Sequence, residues 1–392
     1  MLRIAIVGCG KIADQHVLAI HRIPDCRIVS VCDREFLMAK QLAERFGVAD
    51  SFADVERLLE ATKPDVVHIT TPPQSHFTIG RQCLEYGSHV YIEKPFTVTA
   101  QEAEALIRLA GKKGLKMTAG HNLQFTLEML EMRRLIGEGF LGGKPVHLES
   151  HFSYDLGDTS YVGPLLGSRS HWVRQLPGQL LHNILSHGIA KLAEFLDEEI
   201  IDLVAWGDRS AKLRMLGETE ILDELRVLLR DGNGTTALLC FSTQLKPALN
   251  QLHIYGPVNS ITVDHASGSL IKSKNRSYKS YLTYFIPPLI NAQQHLKNAR
   301  TNMVNFLRRR LHQDFGMKEL IARFYDTIRC GGEPPIPYRE ILLTARIMDR
   351  IFAQVYPAPS SNLGSRLNST VDNRGLRTAD GGQMTEVQSG RS

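Results

Sequence analysis

No C-x-x-C pair occurs among the six cysteines (Cys9, Cys26, Cys32, Cys83, Cys240, Cys330), so the spacing that would point to a zinc site or a dithiol redox centre is missing. Scattered mostly within apolar runs, they read as buried, reduced thiols. No apolar run approaches the roughly 18 residues that would span a bilayer. A strand pattern begins at Leu2, where a signal peptide would otherwise stand, and a cytoplasmic location is expected. Neither a G-x-S-x-G elbow nor an H-E-x-x-H pair places serine or histidine for hydrolysis, and no internal repeat is visible. Acidic residues are missing from one whole stretch: between His265 and Gln313 stand nine basic residues and no Asp or Glu, although the chain as a whole balances 46 Lys plus Arg against 41 Asp plus Glu. The positive surplus is therefore local, and no nucleic-acid partner is expected.

What is present has the composition of a soluble globular protein, with 392 residues, 43% apolar and 22% charged, enough for two or three domains that need no disulfides. Over the first 120 or so residues, short β-rich runs (Arg3 to Val7, Arg27 to Cys32, Val66 to Thr70, Val90 to Ile92, Lys116 to Ala119) alternate with amphipathic stretches. That spacing predicts repeated βαβ units and a doubly wound parallel sheet over residues 1–122, with the helix from Ala100 opened by Thr99 and Glu102 in capping-box spacing. From about Gly142 the strands lengthen and alternate in polarity, predicting an α+β domain over 123–356 with a large, mostly antiparallel sheet. Residues 357–392, poor in apolar periodicity, are expected to form a disordered tail.

Gly8-Cys9-Gly10-Lys11-Ile12-Ala13 follows the first strand and opens a helix, the context in which G-x-G-x-x-G/A binds a dinucleotide. Gly8 permits the tight turn, Gly10 lets backbone approach a pyrophosphate, and Ala13 lets helix and strand pack closely. The helix amino terminus supplies N–H donors and a positive dipole end. Asp33, twenty residues after Ala13, stands where a carboxylate hydrogen-bonds the ribose hydroxyls and repels a 2′-phosphate, which favours NAD over NADP; Arg34 beside it reduces that preference. Glu93-Lys94-Pro95 ends another predicted strand, on the sheet edge where open α/β folds bind ligands. Asn183 and His187 lie four apart on a predicted helix and share a face, whereas His182 points elsewhere, so a metal site is not expected.

Together Gly8, Gly10, Ala13, Asp33, Thr71-Pro72, Glu93-Lys94-Pro95 and the Asn183 to His187 pair resemble the Gfo/Idh/MocA oxidoreductases over about residues 1 to 355. The resemblance implies NAD(P)-dependent hydride transfer at a secondary alcohol carbon of a sugar, nucleotide-sugar or cyclitol. It also implies that Lys94 faces both nicotinamide ribose and substrate and that the Lys94–Pro95 bond is cis. Residues expected at the cofactor are Gly8, Gly10, Lys11, Ile12, Ala13, Asp33, Arg34, Thr71, Pro72, His76, Glu93 and Lys94. Those expected at the substrate are Lys94, Asn122, Gln124, Asn183 and His187, with Lys94 and His187 catalytic. The segment Pro177 to His187 departs from the family pattern: Asn183 replaces aspartate, and Gln179 and Leu185 replace glycines. Without that carboxylate, proton transfer falls on His187 with Lys94 assisting.

The alternatives are an NAD-retaining glycosidase of the same architecture and a non-catalytic NAD-binding regulatory or assembly protein. His147, Glu149 and His151 alternate along one strand and share a sheet face, which reads as a polar face or subunit interface rather than a metal set. A homodimer or homotetramer through the open sheet is expected. For the basic segment, 265–313, an oligomer arm or solvated helix is favoured over contact with a membrane surface.

Overall fold

In the computed structural model, residues 1–156, 159–308, 310 and 315–356 are described; the expected tail, 357–392, and Arg309 and Leu311 of the basic segment lie outside them. The first half runs β1 (Leu2–Val7), α1 (Lys11–Ile20), β2 (Cys26–Cys32), α2 (Phe36–Phe46), β3 (Asp50–Phe52), α3 (Val55–Thr62), β4 (Val66–Ile69), α4 (His76–Tyr86), β5 (His89–Ile92), α5 (Ala100–Lys113) and β6 (Met117–Ala119). Its strands form one parallel sheet in the order β3-β2-β1-β4-β5-β6. Every residue of β4 is buried, as a parallel strand covered on both faces requires. At the start of α5, Thr99 Oγ1 accepts a hydrogen bond from the Glu102 amide at 3.2 Å, the cap that the spacing implied. The strand order reverses between β1 and β4, which opens a crevice at their carboxyl ends.

The second half contains α6 (Leu127–Gly137), β7 (His147–Ser153), α7 (Thr159–Gly167), α8 (Gln179–Ala193), β8 (Ile200–Asp208), α9 (Ala211–Met215), β9 (Glu224–Asp231), β10 (Thr236–Ser242), β11 (Asn250–Tyr255), β12 (Asn259–Asp264) and β13 (Ser269–Lys274), followed by α10 (Ile286–Leu307), α11 (Phe315–Cys330) and α12 (Tyr338–Val355). The seven strands order as β13-β12-β11-β7-β10-β9-β8, antiparallel except for the β7–β10 pair. Along β7 alternate residues Leu148, Ser150 and Phe152 are buried. The opposite face carries His147, Glu149 and His151, and on it Glu149, His151 and His253 bring ligand atoms within 4.8 Å of one another, with His151 Nε2 bonded to Glu149 Oε2 at 3.1 Å. Helix α8 is buried along nearly its whole length.

Two expectations need correction. The thiols are all free, but Cys330 is exposed and Cys26 and Cys240 are only half-buried. The two sheets separate near residue 122, yet the hydrophobic cores do not. Leu320, Ile321, Phe324 and Tyr325 of α11 are buried in the first core, beneath the parallel sheet, and α12 contributes Ile341 to that core and Leu343, Ile347 and Ile351 to the second. The chain thus returns to its first half after completing the second sheet.

A buried polar chain accompanies that return. Tyr325 of α11 lies 2.8 Å from His68 Nε2 on β4, His68 Nδ1 lies 2.8 Å from His16 Nδ1 on α1, and His16 Nε2 lies 3.0 Å from Glu93 Oε1 at the end of β5. Burial, and then the nearby His16, lower the pKa of His68 well below its ordinary value, so the ring is neutral and holds one N–H. With Glu93 ionised, one proton arrangement satisfies every link: the tyrosine donates to His68, His68 to His16, and His16 to the carboxylate. Tyr325→Phe would leave His68 Nε2 buried without a donor, so chemical denaturation should show a loss of about 1–3 kcal/mol; an unchanged midpoint would show that the hydroxyl does not sustain the chain.

Candidate active site

The turn after β1 opens onto a cleft of about 720 Å³ at the sheet's switch point, lined by Gly8, Gly10, Asp33, Arg34, Thr71 and Pro72 among others. Gly8 has φ +98, and a Cβ there would stand 2.7 Å from the backbone of Thr70 and Thr71; only glycine fits the turn. A Cβ on Gly10 would meet nothing within 4 Å, so that backbone faces open space in the cleft. Among the described residues no side chain caps the amino terminus of α1, and its first N–H groups are available to an anion. Ala13 is fully buried between helix and sheet. Asp33 follows β2, with Oδ2 accepting from the Cys9 amide at 2.7 Å and Oδ1 from the Glu35 amide at 2.9 Å, which holds the carboxylate at the cleft rim. These features fit a dinucleotide: a cleft at the switch point lined by the glycine turn, amide donors at the helix terminus for its pyrophosphate and a held carboxylate for its ribose.

Across the α1 terminus, Lys11 and Ile12 line a second cavity of about 510 Å³ together with Gln15, Lys94, Phe152, Tyr154, Asn183, Ile184 and His187. Lys94 follows β5, and its peptide bond to Pro95 is cis, as expected. Its Nζ donates to the backbone carbonyl of Asn183 at 3.1 Å, bridging the parallel sheet to α8. Behind it, Glu93 Oε2 accepts from the Lys94 amide at 3.2 Å while Oε1 accepts from His16. Burial alone would raise the pKa of Glu93, but the hydrogen bond from His16 and the nearby Lys94 bring it below the ordinary value. Asn183 and His187 both face the cavity, one helical turn apart.

The site is electrostatically biased toward neutral bases. Burial, then the charges of Lys94, His121 and Lys191, lower the pKa of His187 well below the ordinary histidine value. Burial likewise lowers Lys94, against the pull of Glu93. His121, whose ring centroid lies 6.0 Å from that of His187, is pushed down to about 4 by burial. Four residues beyond His187, Lys191 is fully buried with its amine 2.9 Å from Asn250 Oδ1, and burial takes it down to about 7. At neutral pH, His187 is therefore a proton acceptor, with the Lys94 amine lining the same cavity.

Some expected residues lie elsewhere. Gln124 does not line the cavity; its Nε2 donates to Ala190 O at 3.2 Å and to Glu194 Oε2 at 3.4 Å, tying the turn at 122–125 to the end of α8. Asn122 opens that turn and is likewise absent from the lining. His76 is buried with its ring nitrogens 2.8 Å from Thr71 O and 3.0 Å from Pro95 O, so it braces the two ligand-facing loops from beneath. His182 stacks on Phe352 with centroids 4.8 Å apart, away from the cavity as its helical angle implied. Gln179 keeps φ +47, the left-handed backbone that a glycine would adopt without strain.

Sequence reasoning passed over residues that the tertiary structure supplies. Ser170, Trp172 and Gln175 close the dinucleotide cleft from the second half of the chain, and Gln74 Nε2 donates to Trp172 O at 2.7 Å. Nothing local to 170–175 signals this. His121 follows β6, so the strand-end rule that singled out Lys94 also pointed to it.

Residues 2–121 match the model of an oxidoreductase family with an NAD-binding Rossmann fold, and residues 129–262 match the GFO/IDH/MocA C-terminal domain. The chain is 34% identical over 142 residues to D-glucoside 3-dehydrogenase of Escherichia coli (strain K12), a match covering 36% of this chain and 40% of that protein. It is 23% identical to D-apiose dehydrogenase of Paraburkholderia graminis, covering 98% of this chain and 93% of the relative. Among solved structures, the WlbA dehydrogenase of Bordetella pertussis, in complex with NADH and UDP-GlcNAcA, superposes with a TM-score of 0.72 at 17% identity, covering 91% of this chain and 95% of that one. With the glycine turn, the parallel sheet and the large second sheet each in place, and each half of the chain matched by its own model, the protein belongs to the Gfo/Idh/MocA family of NAD-binding oxidoreductases.

Proposed function

We propose that this protein oxidises a secondary alcohol of a sugar-like substrate, a free sugar, nucleotide-linked sugar or cyclitol, with His187 as the base and Lys94 as the electrostatic partner of the reacting oxygen. The observation that carries the reading is that the Lys94 ammonium and the His187 imidazole line one cavity immediately beside the uncapped amino terminus of α1. NAD, when bound, supplies the hydride acceptor. Gly8, Gly10 and the α1 amides would hold its pyrophosphate and Asp33 its ribose, with Trp172 and Gln175 closing the cleft above.

The residues of this chain handle the proton and the developing charge. A carbinol C–H leaves with its electron pair as hydride while the O–H proton passes to neutral His187, and the carbon–oxygen bond becomes a carbonyl. Lys94, anchored on the Asn183 carbonyl, presents its remaining N–H groups to the oxygen and stabilises alkoxide character; in the reverse direction the same group polarises the carbonyl. Asn183 lies beside this pair and contributes no carboxylate, so His187 carries the proton alone. The lining of Lys11, Gln15, Tyr154 and Asn183 offers hydrogen-bonding partners to a polyhydroxylated ring.

Lys94→Met and His187→Ala should each lower turnover by about 10² or more while leaving NAD affinity near wild type. A panel of nucleotide sugars, free hexoses and inositols followed by NADH absorbance provides the assay. Full turnover in His187→Ala would remove that residue from the mechanism, and release of a sugar or aglycone without net NADH would replace the dehydrogenase reading with the glycosidase one. Because the pKa of His187 is lowered, its basic form is lost only as pH falls below the ordinary histidine range. The acid limb of kcat/KM should lie below about pH 6.5 and should be absent from the residual activity of His187→Ala.

Asp33→Ala should weaken NAD binding and relax discrimination against NADP, since the carboxylate would no longer bind the ribose hydroxyls or repel a 2′-phosphate. The measurement is the ratio of kcat/KM for the two cofactors; an unchanged ratio would place the ribose away from Asp33.

A further inference from the structure

Helix α10 is mounted with its polar face inward. β13 is an edge strand of the large sheet, and α10 covers it through amide side chains spaced one turn apart. Gln294 Oε1 accepts from the Lys272 amide at 2.9 Å and its Nε2 donates to Lys272 O at 3.1 Å. Asn298 Nδ2 donates to Leu270 O at 3.0 Å, and Asn302 Nδ2 to Ser267 O at 2.9 Å. These bonds occupy backbone groups that an edge strand would otherwise present to another chain. At about 100° per residue, Leu289, Leu296 and Met303, each seven apart, fall on the opposite side of the helix. They are 64%, 71% and 60% exposed, and no residue of this 22-residue helix is buried. Phe285 and Leu307 extend the stripe at its ends.

An outward apolar stripe needs an occupant, and charge selects it. The stretch from His265 to Gln313 carries nine basic residues and no acidic one. Arg300 flanks the stripe and Lys297 lies further round, positions from which long cationic side chains can reach a surface beneath the helix. Next to the helix, Lys272, Lys274, Arg276 and Tyr278 line a cavity of about 450 Å³ between β13 and α10. A second copy docking stripe to stripe would bring two such cationic segments together with no acidic residue in either. An anionic bilayer complements both features, taking the apolar stripe between its acyl chains and the cations among its headgroups.

We propose that α10 lies in the surface of an anionic membrane, mooring the enzyme there without spanning the bilayer. No described helix is long and apolar enough to cross a membrane.

The test is flotation of the full-length protein with vesicles of phosphatidylcholine alone or mixed in equal parts with phosphatidylglycerol. The protein should float with the anionic vesicles, not with the neutral ones, and binding should weaken as salt rises. The double variants Leu296→Glu/Met303→Glu and Lys297→Glu/Arg300→Glu should each bind at least about tenfold more weakly. All four side chains are exposed, so thermal midpoint and NAD affinity should stay at wild-type values. Failure of the wild-type chain to float with anionic vesicles at low salt, equal binding to neutral ones, or undiminished binding by both variants would overturn the proposal. So would a fall in solution mass in Leu296→Glu/Met303→Glu without any vesicle binding by the wild type, which would assign the stripe to a second copy.

Discussion

A carboxylate buried at the end of β5 is the constraint around which this molecule is arranged. Glu93 is 6% exposed and sits next to the lysine that faces the cavity. An ion so placed is tolerable only if its oxygens are hydrogen-bonded. One oxygen takes the Lys94 amide, which fixes the backbone from which the ammonium projects; the other takes His16, and through it the chain of donors from His68 and Tyr325. Satisfying one charge therefore recruits α1, β4 and α11, and the helix that returns from the far end of the sequence becomes part of the support for Lys94. The ammonium then reaches the Asn183 carbonyl, so the first half of the chain is coupled to α8 through a single side chain.

Helix α8 shows the same economy of position. It is apolar nearly all round, as a helix enclosed by a sheet on one side and by α12 on another must be. Among its polar residues, Asn183, His187 and Lys191 fall at successive steps of four and form one line. The first two face the cavity. The third is sealed among Phe152 and Asn250, where its residual positive character helps keep His187 neutral. The alternating face of β7 supports this arrangement from below, while the histidines and Glu149 on its other face make their own contacts outside it.

Much of the site was legible in the sequence because its signals are local. Gly8 and Gly10 stand in the turn after one strand and Asp33 follows the next, and Asn183 and His187 lie one helical turn apart. The misassigned residues had signals that two environments share. Gln124 and His76 are polar and lie close to ligand-facing loops, as substrate contacts do, but both turn inward to satisfy backbone and side-chain groups of neighbouring elements. Trp172 and Gln175 come from a segment with no periodic pattern, and only the docking of that segment on Gln74 makes them part of the cleft.

Hydrophobic period, glycine placement and helical spacing act over a few residues, and through them the amino-acid order alone determined the parallel sheet, the dinucleotide turn and the pairing of Asn183 with His187. Three things were settled only when distant segments met: the return of α11 to the first core, the proton chain that ends on Glu93, and the direction in which α10 faces. Amphipathic spacing says that a helix has two sides but not which of them turns inward. For α10 the unpaired backbone of β13 made that choice, drawing in the amides and leaving the leucines outside.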